Sequence, residues 1–384
     1  MFQTSYIELS ESAVKNNIDF ISSLLGEGVT FSSVVKGNAY GHGIAHFCPL
    51  AYKAGIRHFS VFSADEALNV TQALPNHDFK LMVMGSIDND ELEWAIENEV
   101  EFYVFEQDRL EAAIAIAARM GKKALIHVEL ETGMNRLGFG QKEIASTFNR
   151  IGANLNHLEV KGVCTHLAGA ENIANYKRIK DQFNRFKRYD KKLRTLDWLT
   201  PNRHMASSSA SIRYPNTQMN MARIGILQYG FFPTQEILVH YLTKAKKSES
   251  QLQRVISWKT RVMDVKLVKA GEFIGYGTSY FTNGVTKIAL LPVGYSFGYS
   301  RSLSNQGKVI IRGVRLDVVG TVNMSMLAVD ITNVPNIEKG DEAVLIGTQG
   351  EIEIAVSSFS DYSDQINYEL LTRLPQDIPR RITQ

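Results

Sequence analysis

Residues 32–43 read SSVVKGNAYGHG, an apolar run that ends in one charged side chain, Lys36, and then in a glycine-rich turn. Val34 and Val35 are β-branched and predict a buried strand. An ammonium group at the end of a buried strand is costly unless it is paired or its pKa is lowered. Lys36 is therefore a candidate nucleophile, although a lysine that only extends its head into water would produce the same pattern.

Seven further apolar runs of this kind follow along the chain, separated by amphipathic segments such as residues 107–120 and 173–193. The eight runs are FSSVVK, HFSVFS, KLMVMG, EFYVFE, ALIHVEL, VKGVCTH, RHMASS and RIGILQYG. Strands that alternate with helices favour a parallel sheet. Eight such βα units, ending near Gly230, predict an α/β fold with a TIM-type (β/α)8 barrel.

The part of the chain after Phe231 has a different pattern. Residues 243–254, TKAKKSESQLQR, are polar and charged and indicate a linker or an exposed helix. Beyond them, valine- and isoleucine-rich runs punctuated by glycine predict a second, mainly β carboxy-terminal domain. A length of 384 residues also favours two domains over a single core.

Charge and composition narrow the class of function. With 42 basic and 40 acidic residues, the chain has no net field to attract nucleic acid or an anionic membrane, so a small-molecule partner is expected. No apolar run approaches the ~18 residues of a membrane span, and the amino terminus lacks a basic segment followed by an apolar core, so we expect a cytoplasmic protein. Cys48 and Cys164 lack metal-ligand spacing; we expect both to be buried and reduced, and we expect no metal site.

Polar residues stand at the carboxyl ends of several predicted strands, the end that carries the active site in TIM barrels. Lys36 and His166 end strands one and six, and Arg136 and Ser208 follow strands five and seven. Arg223 begins strand eight, just before Gly225 and Ile226. Phosphate commonly binds near strands seven and eight, where Ser208 and the backbone N–H groups of Gly225 and Ile226 could hold it. A lysine, a phosphate site and cations at one mouth predict a Schiff base with pyridoxal phosphate (PLP).

Six segments together resemble motifs of the alanine racemase family. VVKGNAYGHG is similar to its PLP-lysine motif, ETGMNRLG to its arginine loop, and RIGILQYG to the segment that carries its pyridine-binding arginine. IGYGTSY is similar to its catalytic tyrosine segment, PVGYSFGYSR to its second tyrosine segment, and INYEL to its carboxy-terminal tyrosine segment. The resemblance runs from the opening strand to the carboxyl end.

The resemblance implies a domain division and an oligomer. Residues 10–232 would form the PLP-binding barrel, and residues 1–9 and 233–384 the β-strand-rich domain. The chain would act as a head-to-tail homodimer with shared active sites. The implied activity is a PLP-dependent racemase that interconverts L-alanine and D-alanine and supplies D-alanine for cell-wall peptidoglycan.

Site roles follow from the resemblance position by position. Lys36 would hold PLP and act as one base, and Tyr276 of the partner subunit would be the base on the opposite face of the substrate. Arg223 would face the pyridine nitrogen with support from His166. The phosphate would be bound by Tyr40, Ser208, Gly225, Ile226 and Tyr368. The substrate would be bound by Arg136, the backbone of Met324 and Tyr295.

Departures from the family pattern concentrate away from the two bases. Phe297, Thr321 and Ser325 replace charged residues that line the path to the site, so the substrate range is open. Glu129 stands where many relatives carry a lysine that becomes carbamylated, and we expect its carboxylate to pair with Arg136.

Three alternatives remain beside alanine racemisation. The first is a racemase of broader specificity or one for serine or lysine. The second is a PLP decarboxylase, which Arg223 at the pyridine nitrogen disfavours. The third is a non-enzymatic PLP carrier built from the barrel alone, which the β domain with Tyr276 and Tyr368 disfavours.

Overall fold

The computed structural model describes residues 4–199, 201–356 and 367–384. Residues 1–3 of the predicted amino-terminal segment and Ile366 of the INYEL motif lie outside the described residues. The chain divides into two compact units: the barrel unit, Ala13–Gly37 with Cys48–Gln253, and the β unit, Met1–Ser12 with Asn38–Phe47 and Arg254–Gln384. The domain boundaries at residues 9/10 and 232/233 stay a prediction.

Regular structure covers most of the described residues. The strands, in chain order, are β1 (Ser5–Ser10), β2 (Thr30–Val34), β3 (His58–Ser63), β4 (Lys80–Ser86), β5 (Glu101–Val104), β6 (Ala124–Glu129), β7 (Leu158–Cys164), β8 (Asn202–His204), β9 (Met221–Ile224), β10 (Ile256–Arg261), β11 (Asp264–Val268), β12 (Thr286–Leu291), β13 (Lys308–Ile311), β14 (Val314–Val319), β15 (Leu327–Asp330), β16 (Glu342–Gln349), β17 (Ile352–Ile354) and β18 (Arg380–Thr383).

Helical segments occupy the connections between strands. The α-helical segments are Glu11–Leu24, Lys36–Tyr40, Ile44–Lys53, Ala64–Ala73, Leu92–Glu97, Gln107–Met120, Ile144–Gly152, Tyr176–Leu193, Ser208–Arg213, Gln235–Ala245 and Asn367–Thr372. Short 3-10 turns are found at Asn89–Glu91, Ile173–Asn175, Pro215–Thr217, Ile226–Tyr229, Tyr295–Phe297 and Arg301–Leu303. Among the described residues, no helix is long and apolar enough to cross a membrane.

The barrel unit confirms the predicted (β/α)8 architecture. Within its described residues, eight parallel strands pair in the order β8, β7, β6, β5, β4, β3, β2, β9, and a bridge between Ser207 and Arg223 brings the two edges together. The strands are buried on both faces because helices cover the outside and side chains fill the inside. All eight predicted runs form these strands; the last run, RIGILQYG, leaves the sheet after Ile224 and continues as a 3-10 turn.

The β unit confirms the second, mainly β part of the fold. Its described strands form a sheet in the order β11, β12, β15, β14, β13, β16, β10, β1, β18, with β17 paired to β16. The opening strand β1 lies between β10, to which it is antiparallel, and β18, to which it is parallel. Trp258 of β10 is fully buried in this unit. The sequence did not predict β17 and β18, which are short and carry no apolar run.

Local details agree with the sequence patterns. The helix Gln107–Met120 starts where the Glu106 carboxylate accepts hydrogen bonds from the N–H groups of Asp108 and Arg109, at 2.8 and 2.9 Å. The charged stretch 243–254 contains the end of the helix Gln235–Ala245, followed by residues outside any helix or strand. Cys48 and Cys164 are buried and free, as predicted.

Gly121 offers a direct test of the helix end. It terminates the helix Gln107–Met120 with φ of 62°, and no atom lies within 4 Å of the position that a Cβ would take. Gly121→Ala should therefore lower the free energy of unfolding by about 1 kcal/mol through backbone strain alone. Gly284→Ala is the control, because its Cβ also meets open space and its φ is not left-handed. Equal urea midpoints for the two variants would contradict this assignment.

Candidate active site

The end of strand β2, just before Lys36, is held by hydrogen bonds from a segment of the same unit. The carbonyl of Val34 accepts hydrogen bonds from Gln228 Nε2 at 2.9 Å and from the Tyr229 hydroxyl at 3.0 Å. Immediately after Lys36, residues 37–41 all have positive φ, between 50° and 80°. Non-glycine residues pay roughly 1–2 kcal/mol each for this conformation, and such strain is typical of functional sites.

The Lys36 ammonium is accessible to solvent but stands in a positively charged environment. The barrel wall removes part of its hydration, and this desolvation, together with the charges of Arg136 and Arg223, lowers its pKa; Glu66 acts in the opposite direction. A lowered pKa increases the fraction of neutral amine, the form that attacks a carbonyl or accepts a proton. Lys36 therefore has the electrostatics expected of a reactive lysine.

Arg223 is buried, with only 6% of its surface exposed. Its Nη1 donates a hydrogen bond to His204 Nδ1, and its Nη2 donates to the carbonyls of Thr165 and Met205 at 3.0 and 3.4 Å. Within the described residues, Nε is the guanidinium nitrogen without a hydrogen bond. That N–H group is left to donate to an acceptor that enters the barrel.

The structure corrects one expected contact of Arg223. The resemblance implied support from His166, but the histidine hydrogen-bonded to Arg223 is His204. His166 instead lies near three cations: burial, followed by the charges of Arg223, Arg136 and Lys36, lowers its pKa to about 3. His166 is therefore neutral at physiological pH and adds no positive charge to the mouth.

Ser208 and Gly225, predicted to bind phosphate, are in direct contact. The Ser208 hydroxyl accepts a hydrogen bond of 3.0 Å from the Gly225 N–H. Helical turns start at Ser208 and at Ile226, so the first N–H groups of both turns have no partner inside their own turn. Backbone donors beside a hydroxyl are a suitable environment for an oxyanion.

The loop that carries Arg136 is ordered by Glu131. The Glu131 carboxylate accepts hydrogen bonds from the backbone N–H groups of Gly133, Asn135 (2.8 Å) and Arg136 (3.4 Å). The buried Gln182 amide donates to Thr132 Oγ1 at 3.3 Å and to the His166 carbonyl at 2.8 Å, and so connects the loops after two neighbouring strands. The Arg136 side chain itself is exposed, and none of the hydrogen bonds of the described residues involves its guanidinium.

Glu129 differs from the prediction made for it. It is only 5% exposed, but neither the hydrogen bonds nor the ion pairs of the described residues join its carboxylate to Arg136, so the predicted pair is not formed. Burial raises the pKa of Glu129 to about 7, although the charges of Arg223 and Arg136 act to lower it. Glu129 is thus a titratable group near neutral pH rather than a permanent anion.

The β unit carries the predicted tyrosine segments. Tyr276 is 74% exposed, and its carbonyl accepts a 3.3 Å hydrogen bond from the Thr321 hydroxyl, which also lies 3.0 Å from Ser279 Oγ. Tyr295 N–H donates to the Asn323 carbonyl at 3.0 Å, so the Tyr295 segment runs beside the exposed Met324. These contacts make a neutral, polar surface around the tyrosine.

Tyr40 and Tyr368, both predicted to bind phosphate, also meet within the β unit. Their rings pack edge to face with centroids 6.3 Å apart. Separately, Gly41 admits the backbone of Leu371, because a Cβ at Gly41 would lie 1.8 Å from the Leu371 carbonyl oxygen. The Tyr40 segment therefore packs closely against the carboxy-terminal helix.

Some residues that hold this arrangement were not predicted from the sequence, namely His204, Gln182 and Gln228. Each is buried and polar, and each bonds to a segment far away along the chain. A usable signal was present for two of them: His204 closes a short strand, and Gln228 interrupts an apolar run. Their partners could not be assigned without the fold.

Comparisons with known proteins cover the whole chain. The family description "Alanine racemase, N-terminal domain" matches residues 9–233, and "Alanine racemase, C-terminal domain" matches residues 255–382. The alanine racemase of Leptospira interrogans is 32% identical over 383 residues, which cover 98% of this chain and 95% of that protein.

Solved structures give the same result. The alanine racemase of Bacillus anthracis with bound L-Ala-P superposes with a TM-score of 0.89 at 28% identity, covering 100% of this chain and 96% of that one. The alanine racemase of Bartonella henselae with covalently bound pyridoxal phosphate superposes with a TM-score of 0.84 at 25% identity, and 99% of each chain is covered. Together with the fold and the residues at the barrel mouth, these matches establish that the chain belongs to the alanine racemase family.

Proposed function

We propose that this chain is a PLP-dependent racemase that interconverts L-alanine and D-alanine with two bases, Lys36 and Tyr276 of the partner subunit. The observation that carries the proposal is the barrel mouth, where a lysine of lowered pKa lies near a buried arginine with a free Nε donor. In the cell the enzyme would be cytoplasmic and would supply D-alanine for peptidoglycan.

The residues of the barrel unit fit PLP by their chemistry. The cofactor carries an aldehyde, a phosphate and a ring nitrogen, and the unit offers an amine (Lys36), an oxyanion site (Ser208 with Gly225) and a donor that cannot release its proton (Arg223). Positive charge from Lys36, Arg136 and Arg223 would balance the phosphate and a substrate carboxylate. Tyr40 and Tyr368 would add hydroxyl donors to the phosphate. When bound, PLP stabilises negative charge at the substrate α-carbon.

The two bases divide the proton transfer between the faces of the α-carbon. One base takes the α-proton onto Lys36 Nζ or Tyr276 Oη, and the other delivers its own proton to the opposite face, so that the configuration inverts and no net proton is lost. Both groups ordinarily have pKa values near 10, which is too high for efficient exchange at neutral pH. For Lys36, desolvation and the neighbouring arginines supply the required lowering of the pKa.

Arg136 would hold the substrate carboxylate, with the backbone of Met324 and Tyr295 as further contacts. Its guanidinium is exposed and makes none of the hydrogen bonds in the described part of the chain, so it is available for a bidentate pair. Glu131 holds the Arg136 backbone, which limits the positions the guanidinium can reach. A fixed carboxylate orients the α-hydrogen relative to the bases.

Arg223 limits side reactions. A guanidinium only donates hydrogen bonds and keeps its protons at working pH, so an acceptor facing Nε stays unprotonated. Placed at the ring nitrogen of PLP, Arg223 would keep that nitrogen unprotonated, which would make negative charge at the substrate α-carbon shorter-lived. This favours rapid return of a proton over decarboxylation or transamination.

A homodimer with shared sites is part of the proposal. The β unit exposes several large apolar side chains: Leu267, Phe273, Phe281 and Val285 are 66%, 48%, 50% and 59% exposed. Phe273 and Phe281 pack against each other with ring centroids 5.1 Å apart. Exposed apolar groups of this size are typical of a protein interface, and a second copy of the chain would cover them.

Turnover of a panel of L-amino acids tests the proposed function. The PLP-loaded chain in deuterated water should exchange the α-hydrogen of alanine and form both enantiomers. Thr321, Ser325 and Phe297 make a neutral access path, so we also expect measurable turnover of serine, the runner-up substrate. Absence of α-exchange with alanine would contradict the proposal, and turnover of serine or lysine alone would favour the alternative racemase.

Thr321→Arg tests the origin of the substrate range. Thr321 lies beside the Tyr276 carbonyl and Ser279, so an arginine there adds bulk and charge next to the catalytic tyrosine. We expect kcat/KM for serine to fall more than kcat/KM for alanine, by about 10-fold in the ratio, a size typical of discrimination between similar side chains. Thr332→Arg, at another exposed position of the β unit, is the control. An unchanged ratio would show that Thr321 does not affect specificity.

Subunit mixing tests the division of labour between the bases. Tyr276→Phe should keep the absorbance of bound PLP but lose activity by on the order of 10²-fold or more. When inactive Lys36→Ala and Tyr276→Phe dimers exchange subunits, hybrids contain one intact site, and activity should return to about a quarter of wild type. No recovery despite proven exchange would place both bases on one chain.

Glu129 gives the cofactor-free barrel a predictable pH dependence. Its folded-state pKa of about 7 is above the ordinary value of 4.5, so the folded chain binds this proton more tightly. Protonated Glu129 therefore contributes to the free energy of unfolding, and this contribution is fully present below about pH 4.5 and is lost as pH rises through 7. Glu129→Gln should therefore gain stability relative to wild type between pH 5 and pH 8, by on the order of 3 kcal/mol in urea unfolding. If the difference in unfolding free energy between Glu129→Gln and wild type did not change with pH, the raised pKa of the buried Glu129 carboxyl would be contradicted.

A further inference from the structure

A chain of buried polar side chains crosses the barrel interior beneath Arg223. His204 Nε2 lies 2.9 Å from His127 Nδ1, and His127 Nε2 lies 2.7 Å from Glu101 Oε2. His58 Nε2 approaches the same Glu101 oxygen at 3.4 Å. These side chains come from different strands, β3, β5, β6 and β8, and each is less than 5% exposed.

The hydrogen bonds from Arg223 to Glu101 can have only one order of donors and acceptors. The guanidinium of Arg223 only donates, so His204 Nδ1 has to accept and the proton of a neutral His204 lies on Nε2. His204 Nε2 then donates to His127 Nδ1, and the proton of His127 lies on Nε2 and points to Glu101. The chain needs an acceptor at its far end, and a carboxylate is the side chain that only accepts.

Both histidines are neutral and Glu101 is ionised. Burial and the nearby charge of Arg223 lower the pKa of His204, and burial lowers that of His127. Burial acts to raise the pKa of Glu101, but the hydrogen bonds from His127 and His58 outweigh it and leave the pKa below its ordinary value. A buried anion is thus linked to a buried cation through two neutral rings.

The absence of a side chain at Gly162 leaves the space that the His127–His204 hydrogen bond requires. A Cβ at Gly162 would lie 2.1 Å from His127 Nδ1 and 2.8 Å from His204 Nε2, the two atoms that share a hydrogen bond. Any larger residue would push the imidazoles apart. The ring of Tyr103 packs on both imidazoles, with centroids 6.0 and 6.1 Å away, and completes the enclosure.

Removing the acceptor at Glu101 would allow the direction of the hydrogen bond between His127 and His204 to reverse. His127 could then carry its proton on Nδ1 and donate to His204 Nε2, which would place the His204 proton on Nδ1, opposite the Arg223 donor. Two donors facing each other repel, and a buried group without its partner costs about 1–3 kcal/mol. Arg223 would then lose the acceptor that holds its Nη1 in place.

We propose that Glu101 is a positioning residue: through His127 and His204 it fixes the proton positions that hold Arg223 in place. The proposal rests on the proposed function only for what Arg223 contacts, the ring nitrogen of PLP. Glu101 itself touches neither substrate nor cofactor. It acts by keeping His204 an acceptor toward Arg223.

The test compares Glu101→Leu, which removes the acceptor, with Glu101→Gln, which retains an acceptor oxygen. In the PLP-loaded chain labelled with ¹⁵N-histidine, NMR should show His127 and His204 as neutral Nε2–H tautomers in wild type and in Glu101→Gln. In Glu101→Leu at least one of them should change tautomer. Gly162→Ala should have a similar effect without removing any polar group.

Kinetics supply the second readout, normalised to bound PLP. We expect Glu101→Leu to lower kcat by about 10- to 100-fold, the range typical of residues that orient a ligand-binding side chain, with little change in KM for alanine. Glu101→Gln should recover most of the loss. Asp190→Asn is the control. Asp190 is a buried carboxylate that forms ion pairs with Arg194 and Arg203, and it takes no part in the hydrogen bonds that link Glu101 to Arg223.

Two results would overturn the proposal. One is an Nδ1–H tautomer at His127 or His204 in the wild-type chain. The other is a Glu101→Leu variant with wild-type tautomers and kcat, or one no worse than Asp190→Asn. Failure of the wild-type protein to racemise alanine would reject the proposed function instead. The tautomers would still decide whether Glu101 fixes the proton positions of His127 and His204.

Discussion

A guanidinium buried inside a barrel needs hydrogen-bond partners, and much of this interior is arranged around that requirement for Arg223. Leaving such a charge without partners would cost several kcal/mol. His204 and the carbonyls of Thr165 and Met205 satisfy Nη1 and Nη2, and Glu101 ends the row of hydrogen bonds that continues from His204 through His127. The Nε donor is left without a hydrogen bond to the described residues, and we propose that it binds the ligand.

The same buried cation adds to the effect of desolvation on the titratable groups of the rim. Parallel strands bring their carboxyl ends to one rim, so Lys36, His166 and Glu129 all experience the charge of Arg223. Repulsion and desolvation together lower the pKa values of Lys36 and His166. Attraction to the arginines only partly offsets the burial of Glu129. A mouth with an available amine and excess positive charge suits an anionic cofactor and an amino acid substrate.

The fold could be predicted further than the site. Parallel strands are covered on both faces and appear as continuous apolar runs, so the barrel strands could be read from the sequence, whereas short strands such as Arg380–Thr383 could not. Residues at strand ends were also predictable, because topology puts them on one rim. Pairings between distant segments were not: His204 rather than His166 contacts Arg223, and Glu129 lies apart from Arg136. Those choices depend on side-chain direction and packing, which sequence spacing does not encode.

The proposed activity depends first on covalent attachment of the cofactor to Lys36. Reduction of the PLP-loaded chain with borohydride makes the lysine linkage permanent, and peptide mapping by mass spectrometry then locates it. We expect one modified peptide, which contains VVKGNAYGHG with the label on Lys36, and no labelling of the Lys36→Ala variant. A label on another lysine, or none on a chain that turns over alanine, would contradict it.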